Sequence, residues 1–234
     1  MVLVATSCTD SATTPGPTTP GPTVCYIATE PGITYVYNEK NQVTSINSGF
    51  LEVTYHSNGL PDKMFGLGGF IARTYEYDAD NRLTRLMSPG DTTEFTYNSS
   101  GQLLTETHLD GDGGVYFSAY TYPNTSTHNY SSATGSEGVL TSTTSFLYDD
   151  KKNPYNSAPS IYFRQSIHIH NSIYRPYASN LADNNQISLT YSNYSANYTS
   201  TTTYTYSYND LGYPVAVTRH DSFVSKFAYT YYCK

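Results

Sequence analysis

The sequence predicts an all-β fold: an antiparallel meander of hairpins forming a curved sheet, closed or spiral. Three observations lead there. The 234 residues include 26 Tyr and no Trp, and only 13% are charged. Flat rings and β-branched stems suit a half-buried pleated surface, and Tyr, Thr and Ser dominate here while strong helix formers are few. Lastly, a short aromatic and turn-forming pattern returns along the chain, which marks a repeat architecture.

The pattern begins with Tyr35-Val36-Tyr37-Asn38-Glu39-Lys40-Asn41-Gln42-Val43. It returns as Tyr75-Glu76-Tyr77-Asp78-Ala79-Asp80-Asn81-Arg82-Leu83 and as Phe95-Thr96-Tyr97-Asn98-Ser99-Ser100-Gly101-Gln102-Leu103. Looser copies start at Val53 and Tyr206. Two more open alike at Tyr120 and Phe146 and then diverge, and the chain closes on Tyr229-Thr230-Tyr231. Each copy reads as a hairpin. Aromatics at i and i+2 share one face of a strand. The following Asn or Asp, His56 in one copy, opens a type I turn. Three residues later stands Asn41, Gly59, Asn81, Gly101 or Gly212, types that tolerate a left-handed backbone and complete a bulged hairpin loop. An apolar residue then starts the return strand.

Those residues resemble the YD repeat of Rhs and teneurin proteins, without the enclosed toxin or the core region, so no toxin-enclosing shell is implied. Taken with a Cys-ended opening, a Pro/Thr linker, Tyr148-Asp149-Asp150-Lys151-Lys152-Asn153-Pro154 and a terminal aromatic strand, the chain over residues 25–234 resembles YD-repeat-like surface lipoproteins of Bacteroidetes. That likeness implies a surface lipoprotein and brings no activity with it. From Pro154 to Tyr191 the repeat is interrupted. Ile161-Tyr162-Phe163 and Ile167-His168-Ile169-His170 read as strands, and Ser179 to Asn185 as a loop or short helical turn. A dedicated site would sit most naturally in this interruption.

The domain layout follows. Residues 1–8, Met1-Val2-Leu3-Val4-Ala5-Thr6-Ser7-Cys8, resemble the end of a bacterial lipoprotein signal, a truncated one whose n-region would lie upstream of Met1. Cys8 is then the lipid anchor. Residues 9–23 are an extended, disordered Pro/Thr linker, and 24–234 form a single all-β domain of sufficient size for its own core. With Cys8 lipidated, Cys25 and Cys233 remain at the two ends of that domain, either as a disulfide suited to an exported chain or as two unpaired thiols.

Composition narrows the function. The net charge is −7 and the 12 basic residues are scattered, so a nucleic-acid partner is not expected. His168 and His170 share a strand face but lack further ligands at motif spacing, so they read as solvent-facing and no metal is expected. Asp110-Gly111-Asp112-Gly113-Gly114 lacks the later ligands of a calcium loop and reads as a hairpin tip. Gly66-Leu67-Gly68-Gly69 has no Lys-Ser/Thr to cradle phosphate. Asp149-Asp150-Lys151-Lys152 reads as a solvated turn. The expectation is a non-enzyme without cofactors, on the outer membrane and surface-exposed, contacting the membrane through its anchor. Its role is then binding or adhesion toward an unidentified glycan or protein ligand, or structural scaffolding of the envelope. Exposed Tyr rings could also stack on sugars. A contiguous exposed aromatic patch would favour binding, whereas tyrosines all engaged in packing would favour scaffolding.

Overall fold

The computed structural model describes residues 24–123, 129–136, 139–155, 182–221 and 224–234. The lipid-anchor and linker readings at 1–23, and the strand and histidine readings at 161–170, lie outside the described residues. Among the described residues every regular element is a strand. The first ten are β1 (Cys25–Glu30), β2 (Ile33–Tyr37), β3 (Val43–Ile46), β4 (Leu51–Tyr55), β5 (Pro61–Gly66), β6 (Ile71–Tyr77), β7 (Leu83–Ser88), β8 (Asp91–Tyr97), β9 (Leu103–Leu109) and β10 (Val115–Thr121). Then come β11 (Ser131–Ser136), β12 (Val139–Lys152), β13 (Asn184–Asn193), β14 (Tyr198–Tyr208), β15 (Pro214–His220), β16 (Val224–Ala228) and β17 (Thr230–Cys233).

All seventeen belong to one antiparallel meander. From β1 to β16 each strand pairs with its neighbour in sequence, as at Arg85↔Glu94 between β7 and β8. After Tyr229 the chain continues as β17, which pairs with β1 at Cys25↔Cys233, Tyr26↔Tyr232 and Ile27↔Tyr231. The two ends of the meander therefore lie side by side. Because the strands alternate in direction, their connections fall on two rims. The aromatic-repeat turns, starting at Asn38, His56, Asp78, Asn98 and Asn209, share one, the turn rim. The connections after Glu30, Ile46, Gly66, Ser88, Leu109, Ser136, Asn193 and His220 share the far rim.

The turns have the geometry read from the sequence. In each, the first residue accepts from the amide of the fourth and donates its own amide to the carbonyl of the fifth. In the turn that starts at Asn98, the Gly101 amide donates to the Asn98 carbonyl at 3.0 Å and the Asn98 amide to the Gln102 carbonyl at 2.9 Å. The side-chain carbonyl of Asn98 also accepts the amides of Ser100 and Gln102. The fourth residue takes a positive φ: 60° at Asn41, 86° at Gly59, 62° at Asn81 and 80° at both Gly101 and Gly212. A register shift of one residue precedes each, between Thr96 and Tyr97 for example, the bulge that such loops impose.

Alternation along the strands builds one core. Ile27, Tyr35, Val53, Tyr75, Leu86 and Phe95 are buried members of it, while Glu76, Arg85, Glu94 and Thr96 face outward, with Arg85 pairing to both glutamates. The second aromatic of every repeat but the one at Tyr206, whose Tyr208 bonds Asp149 instead, does something the local pattern does not announce. Its hydroxyl donates to a main-chain carbonyl at the base of the preceding strand: Tyr37 to Ile27, Tyr55 to Val43, Tyr77 to Pro61, Tyr97 to Leu83, Tyr122 to Leu103 and Tyr231 to Pro214, all between 2.6 and 3.0 Å. Tyr148 reaches back to the Tyr130 carbonyl at 2.9 Å. Each phenol thus ties one hairpin of the turn rim to the one before it. Burial raises the pKa of the Tyr37, Tyr55, Tyr122, Tyr148 and Tyr231 hydroxyls above the usual phenol range, so these remain donors at any physiological pH.

Two readings need correction. Asp149 to Lys152 form the end of β12, and Asp149 is no solvated turn residue. Its carboxylate accepts the main-chain and side-chain amides of Asn185 and the hydroxyl of Tyr208. Strand pairing brings Asn185 there, since Asn184 and Asn185 already belong to β13 instead of to a loop or helical turn.

Candidate functional site

The chain ends meet at the turn rim, where Cys25 and Cys233 form a disulfide across the β1–β17 pair. Val24 and Lys234 exchange two main-chain hydrogen bonds beside it. Val24, the first described residue, therefore also lies at the turn rim.

The far rim carries exposed apolar side chains. Phe50, Leu67, Phe70 and Ile71 lie at two neighbouring hairpin tips, and Val139, Leu140, Tyr194, Tyr198 and Val224 at three others, each at least 44% exposed. The tips between them, at Gly90 and at Asp110–Gly114, are polar. Tyr194 lies opposite Thr141: its amide bonds the Thr141 carbonyl at 2.9 Å, and its hydroxyl lies 3.2 Å from that of Thr143. Tyr194 and Tyr198 flank one turn, Tyr198 pairing with Asn193, and Val139 and Leu140 sit at the next tip along the far rim, so the four are exposed at two neighbouring tips.

A concave site lies on the turn rim. Tyr122, Tyr130, Phe146 and Tyr148, with Thr121, Pro123, Asn129 and Ser131, line a cavity of about 340 Å³, a size suited to a small ligand. Its rings pack on each other, Tyr130 lying edge-on to Phe146 at 5.6 Å and to Tyr120 at 5.1 Å. The hydroxyls of Tyr122 and Tyr148 are committed to main-chain carbonyls. Tyr130 is buried, and its hydroxyl has no hydrogen-bond partner among the described residues.

Carboxylates inside the sheet meet tyrosines. Glu30 accepts the hydroxyls of Tyr35 and Tyr155. Glu106 accepts that of Tyr120 at 2.8 Å. Burial lifts the Glu106 carboxyl above the usual range, against the opposing pull of Tyr120 and His108. The remaining sequence candidates are structural. Asp110 accepts the amides of Asp112 and Gly114 and closes a hairpin tip. Gly68 and Gly69 sit at positive φ in the β5–β6 turn. His108 lies 3.1 Å from the Thr93 hydroxyl and His220 3.0 Å from that of Thr205. Among the described residues no group of His, Cys, Asp and Glu is placed to hold a metal ion.

The repeat grammar, the bulged turns and the meander define a YD-type repeat β-sheet protein. Residues 77–115 match the family model of the RHS repeat. A comparison with curated proteins gives no match. Among solved structures, the chain is similar to a porin-like protein from Bacteroides uniformis, at 18% identity and a TM-score of 0.52, over 86% of this chain and 90% of that one. A porin-like protein from Bacteroides vulgatus aligns at 11% identity and a TM-score of 0.49, over 88% and 98%. The Bacteroides uniformis likeness is one of fold.

Proposed function

We propose that this chain is a non-catalytic binding module of the bacterial cell envelope, tethered through a lipidated Cys8 and engaging a protein or glycan partner with its far rim. The observation that carries the reading is the exposure of Val139, Leu140, Tyr194 and Tyr198 at two neighbouring tips of the far rim, opposite Val24 and Lys234. Apolar side chains gathered at neighbouring tips are what a partner surface would cover. The envelope location is supported by the RHS repeat and by the fold shared with a Bacteroides porin-like protein. A pore is not part of the reading. A membrane-spanning barrel turns an apolar band outward, whereas this sheet turns Glu76, Arg85, Glu94 and Thr96 outward and its aromatics inward.

A glycan and protein binding screen with the intact domain tests the reading. A partner retained by wild type should be lost by Tyr194→Ser/Tyr198→Ser and kept by Leu211→Ser, which alters the turn rim. Loss with both variants, or with neither, removes the far rim as the site. Radiolabelled palmitate should enter the full-length exported protein and not Cys8→Ala; equal labelling overturns the anchor.

A second reading, a scaffolding component of the envelope, is favoured by the tyrosine hydroxyls, since those of Tyr37, Tyr97 and Tyr231 are spent on main-chain carbonyls and those of Tyr35 and Tyr208 on carboxylates. The same commitment leaves Tyr122 and Tyr148 without a free donor for a ligand in the turn-rim cavity.

A further inference from the structure

Among the described residues one interior cation is left without a counter-charge. Arg73 lies in β6 on the core face, two residues before Tyr75, and is 3% exposed. Its partner across the β5–β6 pair is Met64, itself buried. The other arginines described are paired: Arg82 with Asp78 and Asp80, Arg85 with Glu76 and Glu94, Arg219 with Asp221. The buried carboxylate Glu30 has its tyrosines. Arg73 has neither an ion pair nor a side-chain hydrogen bond among the described residues.

The repeat makes this position stand out. The residue two before the position of Tyr75 in the other copies is Ile33 ahead of Tyr35, Leu51 ahead of Val53 and Thr93 ahead of Phe95, so the fold accepts an uncharged side chain there. A guanidinium stays protonated under all ordinary conditions, and burying it unpaired costs free energy that packing does not return. A residue held against stability in this way is expected where it serves a ligand. The guanidinium presents a planar fork of donors, which matches two oxygens of one oxyanion. Arg73 is two residues in from Ile71, which is exposed at the far rim, so that rim is the shorter way in.

We propose that Arg73 is the recognition point of an oxyanion site inside the sheet, taking a carboxylate, phosphate or sulfate group of a small ligand. This goes beyond the partner surface proposed above and does not depend on it. The test is thermal unfolding of the full chain in sodium phosphate, sulfate or acetate against sodium chloride at equal ionic strength. The wild-type midpoint should rise with the concentration of at least one oxyanion, as mass action requires of a ligand bound only by the folded state. Arg73→Met should unfold at a higher temperature than wild type in chloride and lose the oxyanion response. Arg73→Lys, which keeps charge and length but not the fork, should bind that oxyanion roughly tenfold more weakly, about the worth of one hydrogen bond. Tyr194→Ser/Tyr198→Ser should respond as wild type does, which separates this site from the partner surface. A wild type indifferent to all three oxyanions overturns the proposal, as does a folded Arg73→Met that keeps the response. If Arg73→Met does not fold, calorimetric titration of wild type and Arg73→Lys with the same salts decides, and equal affinities overturn it.

Discussion

Removing a single phenolic oxygen tests whether the tyrosine ladder of the turn rim holds the sheet together. In Tyr97→Phe the ring keeps its place on the core face, and the Leu83 carbonyl loses a donor at 2.7 Å. A hydrogen bond of this kind contributes a net ~0.5–1.5 kcal/mol, and a carbonyl left dry costs more. Tyr97 is half-buried, so water reaches the freed carbonyl in part and the expected loss is about 1 kcal/mol. In a chain of this size that lowers Tm by roughly 2–4 °C. Tyr116→Phe is the control. Its ring is 50% exposed, its hydroxyl bonds nothing among the described residues, and its contact with His108 survives the change, so its cost should be near zero. Tyr37→Phe removes the equivalent bond to Ile27 at 2.7 Å from a hairpin distant in the meander. The double variant should therefore lose the sum of the two single losses to within about 0.5 kcal/mol. Urea unfolding followed by far-ultraviolet circular dichroism reads all four. Tyr97→Phe indistinguishable from Tyr116→Phe would refute the reasoning and leave the ladder a consequence of packing.

Three further outcomes are expected. Replacing Cys25 and Cys233 by Ser opens a loop of 208 residues, for which chain entropy sets an upper loss of about 5 kcal/mol; an unchanged urea midpoint would show that the strand pairing alone holds the ends. Gly101→Val meets no atom within 4 Å of its new Cβ but must keep a φ of 80°, so its loss of about 1–2 kcal/mol is pure backbone strain. Ser99→Thr beside it should cost little, and equal denaturation midpoints for the two would contradict the turn. Burial holds the Glu106 pKa above its unfolded value, so as pH rises from about 4.3 the unfolded state releases its proton first and stability falls until the folded carboxyl also ionises. Glu106→Gln should remove that slope and keep the acceptor for Tyr120; parallel stability profiles for wild type and variant between pH 4 and pH 8, on the order of the titration range, would count against it.

The parts of this protein legible in its sequence are those set by residues within one turn of each other. Asn98 close to Gly101 dictates a bulged loop through its own side chain and a left-handed glycine, with no help from elsewhere. Period-two alternation likewise puts Tyr75 inside and Glu76 outside. The same alternation places Arg73 on the face of Tyr75, a signal open to a reader who extends the repeat two residues upstream. What it does not tell is whether a carboxylate waits there.

Partnerships between strands are another matter, because they depend on register. The acceptor for each repeat tyrosine lies ten residues back for Tyr37, fourteen for Tyr97 and nineteen for Tyr122, following the length of each hairpin. No fixed spacing encodes it. Asp149 looks solvated among Asp150, Lys151 and Lys152 until β13 delivers Asn185 from thirty-six residues away. Two end cysteines allow a disulfide by count, but only a meander whose last strand returns to its first sets Cys25 opposite Cys233. Exposure obeys the same division. Leu140 and Tyr194 have the composition of core residues, and their place on the far rim follows from which hairpins turn there. The sequence by itself determined the strands, the turns and the side of the sheet each side chain faces, since these are short-range sterics and periodicity. The tertiary structure alone decided which tyrosines are bound, which apolar residues stay wet and which buried charge goes unpaired, because those depend on groups that only strand register brings within reach.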